Sequence, residues 1–569
     1  MSLSRRNMIK MAVIGGAAAA LPMERLAFTS GSAKRMPTSK MPRYFSQRFV
    51  IPPVIAPVGT QRIPCFDGIE REYPRYDIAQ RFGVAEIMPG YKTPVFGYNG
   101  NVPGPTFRVH HDSAIIVNQA NLLHLPPFNS APMPSSYTTD PLQRSTSTHL
   151  HGSASLPQYD GYASDVTFPA QMKRYFYPNC QEARTLWYHD HGVHHTANNA
   201  YNGLAGMYIL HDSHEQSLGI PQGSYDVPVI VKDAMFAEDG GLIYDDNSES
   251  GIYGDVILIN GVPWPSMEVE PRKYRFRFLN ASVSRSYRWQ LHDGRSVVPM
   301  TVIGTDAGLM PRPQVVADFR HGMAERYEVV IDFAPYAQKP GSAPARLTLK
   351  NLLPPNNINY DGVKQAMQFV VGPKESVLTW DNNDVPADWQ SKVVSPECMT
   401  WSESGLKAQG VPDRRFEFIR TNGHWTINGE TWENVIDSNY THCMAEPEFD
   451  AVEIWELKNT SGGWFHPVHI HLVDFQVLSR NGSAANVLPH EKGAKDVVYV
   501  GENETVRVAM RFGGPSAGAG WPRPRGRYMM HCHNLVHEDH DMMMQFSVGD
   551  PQHVAEYDPI AAAAAWPIG

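Results

Sequence analysis

An Asn-Gly dipeptide set in similar sequence occurs three times, as Tyr98-Asn99-Gly100, Ile259-Asn260-Gly261 and Ile427-Asn428-Gly429. Each is followed by an alternating segment that ends in Asn roughly 20–30 residues beyond the Gly: Ala114 to Asn118, Tyr274 to Asn280, and Val452 to Asn459. Period-2 alternation marks a half-buried strand. A single Asn-Gly would mark only a turn. Three, each leading into such a strand, mark three copies of one β-unit. Helical periodicity is weak throughout, with a turn of helix expected only in short segments such as Glu215 to Leu218. A length of 569 residues suggests about three or four domains, and the repeat selects three. They are placed at 40–215, 216–375 and 376–569, the last opening with a mixed, polar connector from Ser376 to Arg414. The expected fold class is all-β, three Greek-key β-sandwiches. Plentiful, scattered Pro (46) and Gly (45) suit a chain with many turns.

The N-terminus reads as an address. Ser4-Arg5-Arg6-Asn7-Met8-Ile9-Lys10 carries paired arginines, and an apolar, small-residue run from Met11 to Met23 follows. That run is shorter than the ~20 residues needed to span a bilayer core. The layout, over 1–33, is that of a twin-arginine export signal with cleavage near Ser32 or Ala33. A periplasmic or secreted monomer without a membrane span is expected, with the twin-arginine export machinery as a partner. The formal net charge is −9 without a basic block, which excludes nucleic acid as a partner. Five Cys exclude a disulfide-dense scaffold. The 24 His call for explanation.

With that many His, chance gives roughly one His-x-His pair. Four occur in strand-like settings: His149-Leu150-His151, His189-Asp190-His191, His469-Ile470-His471 and His531-Cys532-His533. Residues i and i+2 of a strand face the same side, so each pair offers two imidazoles to one point. Two pairs lie in the first third of the chain and two in the last. Eight imidazoles converging there would hold a cluster of metal ions, and imidazole suits Zn, Cu, Fe and Ni alike.

Cys532 narrows the metal. It lies between His531 and His533 and must face the opposite side of the strand. His537 follows it closely, Met542 a little further on, and His466 lies upstream. One thiolate, two imidazoles and a weak thioether form the blue-copper electron-transfer set. Met542 is chosen over the adjoining Met543 and Met544 by spacing. Cys532 would then bind one copper on one face while its covalent neighbours bind the cluster on the other. An electron leaving the sulfur has a short through-bond path to the cluster.

The chain here resembles the multicopper oxidases, and among them the bilirubin oxidases and spore-coat laccases. The likeness is carried by Ala183 to His191, Val269 to Phe278, Gly463 to Phe475 and His531 to Met543, and it extends over nearly the whole mature chain. It implies three cupredoxin domains and four coppers as cofactors. His149 and His469 would hold the type 2 copper. His151, His189, His191, His471, His531 and His533 would hold the type 3 pair. Cys532, His466, His537 and Met542 would hold the type 1 copper. The implied reaction removes single electrons from small organic donors (bilirubin, phenols, aryl amines) at type 1 and reduces O2 to water at the trinuclear cluster.

Glu538, next to His537, and Asp160, nine residues after His151 in Tyr159-Asp160-Gly161, match acidic positions that the family uses for proton supply. Asp190 and Asp539 are alternatives that could orient the ring N–H of a ligand. Trp464 precedes His466 by two, so on a strand it would face the same side, beside the type 1 copper and the donor. Two other functions fit a copper-binding chain: a cuprous oxidase in copper tolerance, and a non-catalytic scaffold or copper store. The first lacks a Met-rich insert, since the connector holds only Met399. A scaffold has no need of the full ligand set. The remaining Cys65, Cys180, Cys398 and Cys443 allow two disulfides in any of three connectivities.

Overall fold

A computed structural model describes residues 33–65, 67–125, 144–373, 384–514 and 521–549, and the backbone of 566–567. The expected export signal, 1–32, lies outside the described residues. The chain is all-β, organised in six sheets with a few short helices. Two sheets draw on residues 59–211, two on 226–371 and two on 413–548, apart from two short strands. Gln47–Arg48 pairs in parallel with Pro265–Val269, and Trp566–Pro567 pairs with Gln171–Tyr177. Both ends of the chain are thus tied across the molecule.

The three Asn-Gly turns are superimposable in backbone terms. Asn99, Asn260 and Asn428 have φ of 52, 50 and 53°, and Gly100, Gly261 and Gly429 have φ of 80, 81 and 83°. Two successive positive φ values define a type I′ turn, the one whose twist matches a hairpin. In each copy the Asn also clamps the strand beside it. Asn99 Oδ1 accepts from Ala79 N (2.8 Å), Asn260 Oδ1 from Ile230 N (2.7 Å) and Asn428 Oδ1 from Glu417 N (2.7 Å).

The strand-ending Asn of the first copy is corrected by the register. Asn280 lies opposite Val231 and Asn459 opposite Phe418 in parallel pairs. The residue in that place in the first copy is Asn121, opposite Gln80, and not Asn118. All three clamp loop carbonyls with Nδ2: Asn121 those of Arg144 and Thr167, Asn280 those of Arg285 and His321, Asn459 those of Trp464 and Gly501. Asn118 lies mid-strand, in Ile115–Asn121, and reaches Asp77 instead. These parallel pairs make the sheets mixed, unlike a purely antiparallel sandwich.

The described part of the connector is packed rather than loose. It forms the helices Trp389–Lys392 and Glu403–Ala408, and buried Trp389 donates Nε1–H to Met310 O at 2.8 Å. The helix at Glu215 to Leu218 forms as Ser213–Ser217, N-capped by Asp212. No disulfide joins any of the five cysteines, all of them described residues, so neither possible bridge forms. Among the described residues no helix is long and apolar enough to cross a membrane.

Candidate metal centre

Two hairpin-like registers build the centre. In the first third, Thr148–His151 runs antiparallel to Arg184–Asp190 with His149 opposite His189. In the last third, His466–Ile470 runs antiparallel to Gly526–Cys532 with His469 opposite His531. Directly opposed residues share a face of the sheet, so each register aims its imidazoles at one place. The eight rings meet there, all buried. His149 and His469 approach through Nε2 at 3.4 Å. His531 Nε2 lies 3.2 Å from both His191 Nε2 and His471 Nε2. His151, His189 and His533 form a third group with donor atoms within 4.8 Å of one another.

The donor chemistry of these rings demands a cation. A neutral imidazole carries one N–H. His471 commits it through Nδ1 to Asp160 Oδ2 (2.7 Å), His469 to Asp496 O (2.8 Å), and His531 to Cys532 O (3.3 Å), with Glu538 Oε2 2.9 Å from the same nitrogen. The Asp160 carbonyl takes His149 Nδ1, and the Asp190 carbonyl takes His189 Nδ1 at 2.7 Å. The facing Nε2 atoms are then lone pairs aimed at lone pairs. His189 Nε2, His151 Nδ1 and both nitrogens of His533 are buried without partners. Protonation does not resolve the clash. Burial, with the neighbouring imidazoles, drives His149, His151, His189, His469, His471 and His533 well below the usual histidine range. A metal ion between each set of facing rings would take one nitrogen from each ring.

On the opposite face of Gly526–Cys532, Cys532 lies across from Val468. His466, two residues from Val468, shares that face. His466 Nδ1 is 3.3 Å from Cys532 Sγ, His537 Nδ1 is 3.7 Å from it, and the two nitrogens are 3.3 Å apart. All three side chains are fully buried. Burial raises the thiol and lowers His466 to about 3, so a bound soft cation is what would hold the thiolate. Met542 belongs to the apolar cluster around Cys532. Its carbonyl accepts Cys532 N (3.1 Å) and its N–H donates to His537 O (3.0 Å). Met543 instead opposes His531 and Met544 opposes Met530 along Met543–Val548, which separates Met542 from its neighbours.

Of the acidic candidates, Asp160 and Glu538 meet ligand rings with their carboxylates. Asp160 closes the 3-10 turn Pro157–Tyr159. Its approach depends on Gly161, with φ 81°, where a Cβ would lie 2.3 Å from Thr148 O. Burial pushes the Asp160 carboxyl well above its usual range. Burial also raises Glu538, but the His531 and His191 imidazoles outweigh it and bring it to about 2. Of the two alternatives, Asp190 orients a ligand ring through its backbone carbonyl, which takes His189 Nδ1, and Asp539 is corrected. The Asp190 carboxylate turns away to Ser147 N (2.8 Å) and Asn199 Nδ2 (2.9 Å). The Asp539 carboxylate receives Thr196 N (2.9 Å) and Ala197 N (2.8 Å) at the start of Thr196–Tyr201. Neither orients a ring with its side chain.

Trp464 stands beside the mononuclear site for a reason other than strand alternation. It precedes the strand His466–Ile470 and is half-buried in the incoming loop. Its ring meets His537 edge-on at 5.9 Å and Trp425 at 5.5 Å. Trp425, stacked on His537 at 3.7 Å and 25°, escapes the sequence reading because it resembles a core residue alternating with Ile427. Ser461 Oγ, 2.8 Å from His466 Nε2, and Ser250 O, 3.2 Å from His537 Nε2, belong to no motif. Neither does Asp496.

Comparison with known proteins agrees with this geometry. Family models described as multicopper oxidase match residues 412–552 and 138–215. The chain is 38% identical to bilirubin oxidase of Albifimbria verrucaria, over 88% of this chain and 81% of that one. It is 32% identical to a laccase of Bacillus subtilis (strain 168), over 81% and 91%. The McoA multicopper oxidase of Aquifex aeolicus superimposes with a TM-score of 0.72 at 27% identity, covering 88% of this chain and 99% of that one. Its cupredoxin-like architecture, its converging imidazoles and these relatives together place the chain in the multicopper oxidase family.

Proposed function

We propose that the chain is a copper-dependent oxidase that takes single electrons from organic donors and reduces O2 to water. Bilirubin-like tetrapyrroles, phenols and aryl amines are the donor classes, by likeness to the bilirubin oxidase and laccases. One observation carries the reading: the strand Gly526–Cys532 presents Cys532 on one face and His531 on the other, and His533, the residue just past its end, returns its ring to within 5.4 Å of His531. Bound at these residues, copper supplies one-electron acceptance at one centre and O2 reduction at the other.

His466, Cys532, His537 and Met542 would hold the first copper. His149 and His469, then His151, His189, His191, His471, His531 and His533, would hold the other three, giving four. The peptide bonds from Cys532 to its two neighbours join the centres covalently. Asp160 accepts the Nδ1 proton of His471 and Glu538 lies 2.9 Å from His531 Nδ1, which positions both to deliver protons beside the cluster. Trp464 offers a half-buried aromatic surface against His537 for the donor. The domain bounds 40–215, 216–375 and 376–569 are supported by the sheets' residue ranges. The paired arginines support twin-arginine export to the periplasm or medium, as a monomer.

The test is copper loading of the purified protein, then O2 uptake with bilirubin, a simple phenol and Cu(I) in parallel. Four coppers per chain, a blue thiolate–copper band and uptake with the organic donors are expected. Uptake with Cu(I) alone would make it a cuprous oxidase. No blue band and no uptake would leave a copper-binding scaffold.

A further inference from the structure

Residues 216–375 supply no ring or thiol to either centre, yet Arg326 extends from the strand Arg326–Asp332 toward the cluster. It is fully buried. Its guanidinium grips both oxygens of Asp496, Nη1 to Oδ1 at 2.6 Å and Nη2 to Oδ2 at 2.5 Å. A bidentate pair of this kind fixes the plane of the carboxylate. Arg326 is itself held by the carbonyls of Thr185 (2.8 Å), Ala324 (3.1 Å) and Asp306 (3.1 Å).

Asp496 faces two ligand rings from opposite ends of the chain. Its carbonyl accepts His469 Nδ1 at 2.8 Å, and its Oδ1 lies 3.2 Å from His151 Nε2. The second contact is unlike the others. His149, His189, His469, His471 and His531 each engage Nδ1 with an oxygen and turn Nε2 inward. His151 engages Nε2 and leaves Nδ1 buried and unpartnered. Gly152 makes this possible. At φ +86°, a Cβ there would lie 2.6 Å from both Arg326 Nη2 and Asp496 Oδ2. The residue after the ligand must therefore lack a side chain for the ion pair to pass beneath it.

We infer that Arg326 and Asp496 are a positioning pair through which the ligand-free middle region sets the ring orientation of His151. The inference rests on the assignment of the eight imidazoles to copper. A partner that fixes the ring of a ligand typically changes metal affinity by about 10–100-fold when lost.

The experiment compares copper-loaded wild type with Asp496→Ala, Asp496→Asn, Arg326→Gln and Gly152→Ala. The readouts are copper per chain after dialysis against a chelator, the blue band, and the near-ultraviolet absorption of the coupled pair. Asp496→Ala, Arg326→Gln and Gly152→Ala should lose cluster copper and the near-ultraviolet band while keeping the blue band. Asp496→Asn retains an oxygen acceptor for His151 and should retain most cluster copper. Full cluster copper in Asp496→Ala and Arg326→Gln would overturn the inference. So would equal loss of the blue band in all four, which marks a purely structural ion pair. A wild type that binds only the blue copper would instead defeat the cluster assignment itself.

Discussion

The two faces of the strand Gly526–Cys532 solve opposite problems. On one, eight imidazoles are surrounded by carboxylates and carbonyls: Asp160, Asp496 and Glu538 each reach a ring nitrogen. On the other, Cys532 sits among apolar side chains and indole rings, and its histidines meet only neutral partners. A centre that must collect protons as well as electrons needs ionisable groups at hand. A centre that only passes electrons gains from their exclusion, because a dry, rigid shell keeps reorganisation small. Asn534 N, 3.4 Å from Cys532 Sγ, is among the described residues the one polar contact to the sulfur besides the two rings, the kind of contact that tunes a blue-copper potential.

Substitutions on the two faces should separate these roles. Cys532→Ser has the largest expected effect: the blue band and donor-driven O2 uptake both vanish. Circular dichroism should stay at the wild-type level, since the swap changes one buried atom. Survival of the blue band would break the comparison at its centre. Glu538→Gln removes a proton carrier while keeping the ring contact. Turnover should fall by about 10²-fold or more, with the blue band intact and rapidly bleached by donor under nitrogen. If bleaching slows instead, Glu538 serves the electron side.

Ser461→Ala removes the partner of His466 Nε2. It should weaken copper at the mononuclear site by about 10-fold, read by titration of the blue band, while cluster copper is unchanged. The smallest effect is expected of Trp464→Ala. Loss of an aromatic contact worth about 0.5–1.5 kcal/mol should raise the KM for organic donors a few-fold and leave copper loading untouched. Unaltered kinetics with every donor would remove Trp464 from the donor surface.

The convergence of the imidazoles and the opposite placement of Cys532 are legible because strands alternate. His-x-His and His-Cys-His declare their faces without any knowledge of the partner strand, and the Asn-Gly turns declare the repeat. What depends on register was not legible. Asn118 and Asn121 are equally plausible ends of the first repeat strand, and only pairing with Gln80 selects Asn121. What depends on long-range approach was hidden altogether. Arg326 and Asp496 are 170 positions apart, and neither stands in a motif. Trp464 does stand beside the mononuclear site, but the strand rule that aligns it with His466 does not apply to it, since it lies in the loop before the strand. Asp190 and Asp539 show the converse: closeness in sequence to a ligand leaves the ring contact of Asp190 to its carbonyl and sends the Asp539 carboxylate to a helix terminus.

The opposed pairs His149/His189 and His469/His531 each form within their own end of the chain, yet neither half encloses a site. A ribosome that has released only the first half has made four open imidazoles, still one ring short of the group His151, His189 and His533. The cluster comes into being only when the last strands dock against the first, so copper capture there is a late event in the life of the molecule. Its copper content serves as a record that both ends of the polypeptide have found each other, and any truncation or misdocking between them should register as missing metal long before the individual sheets unravel.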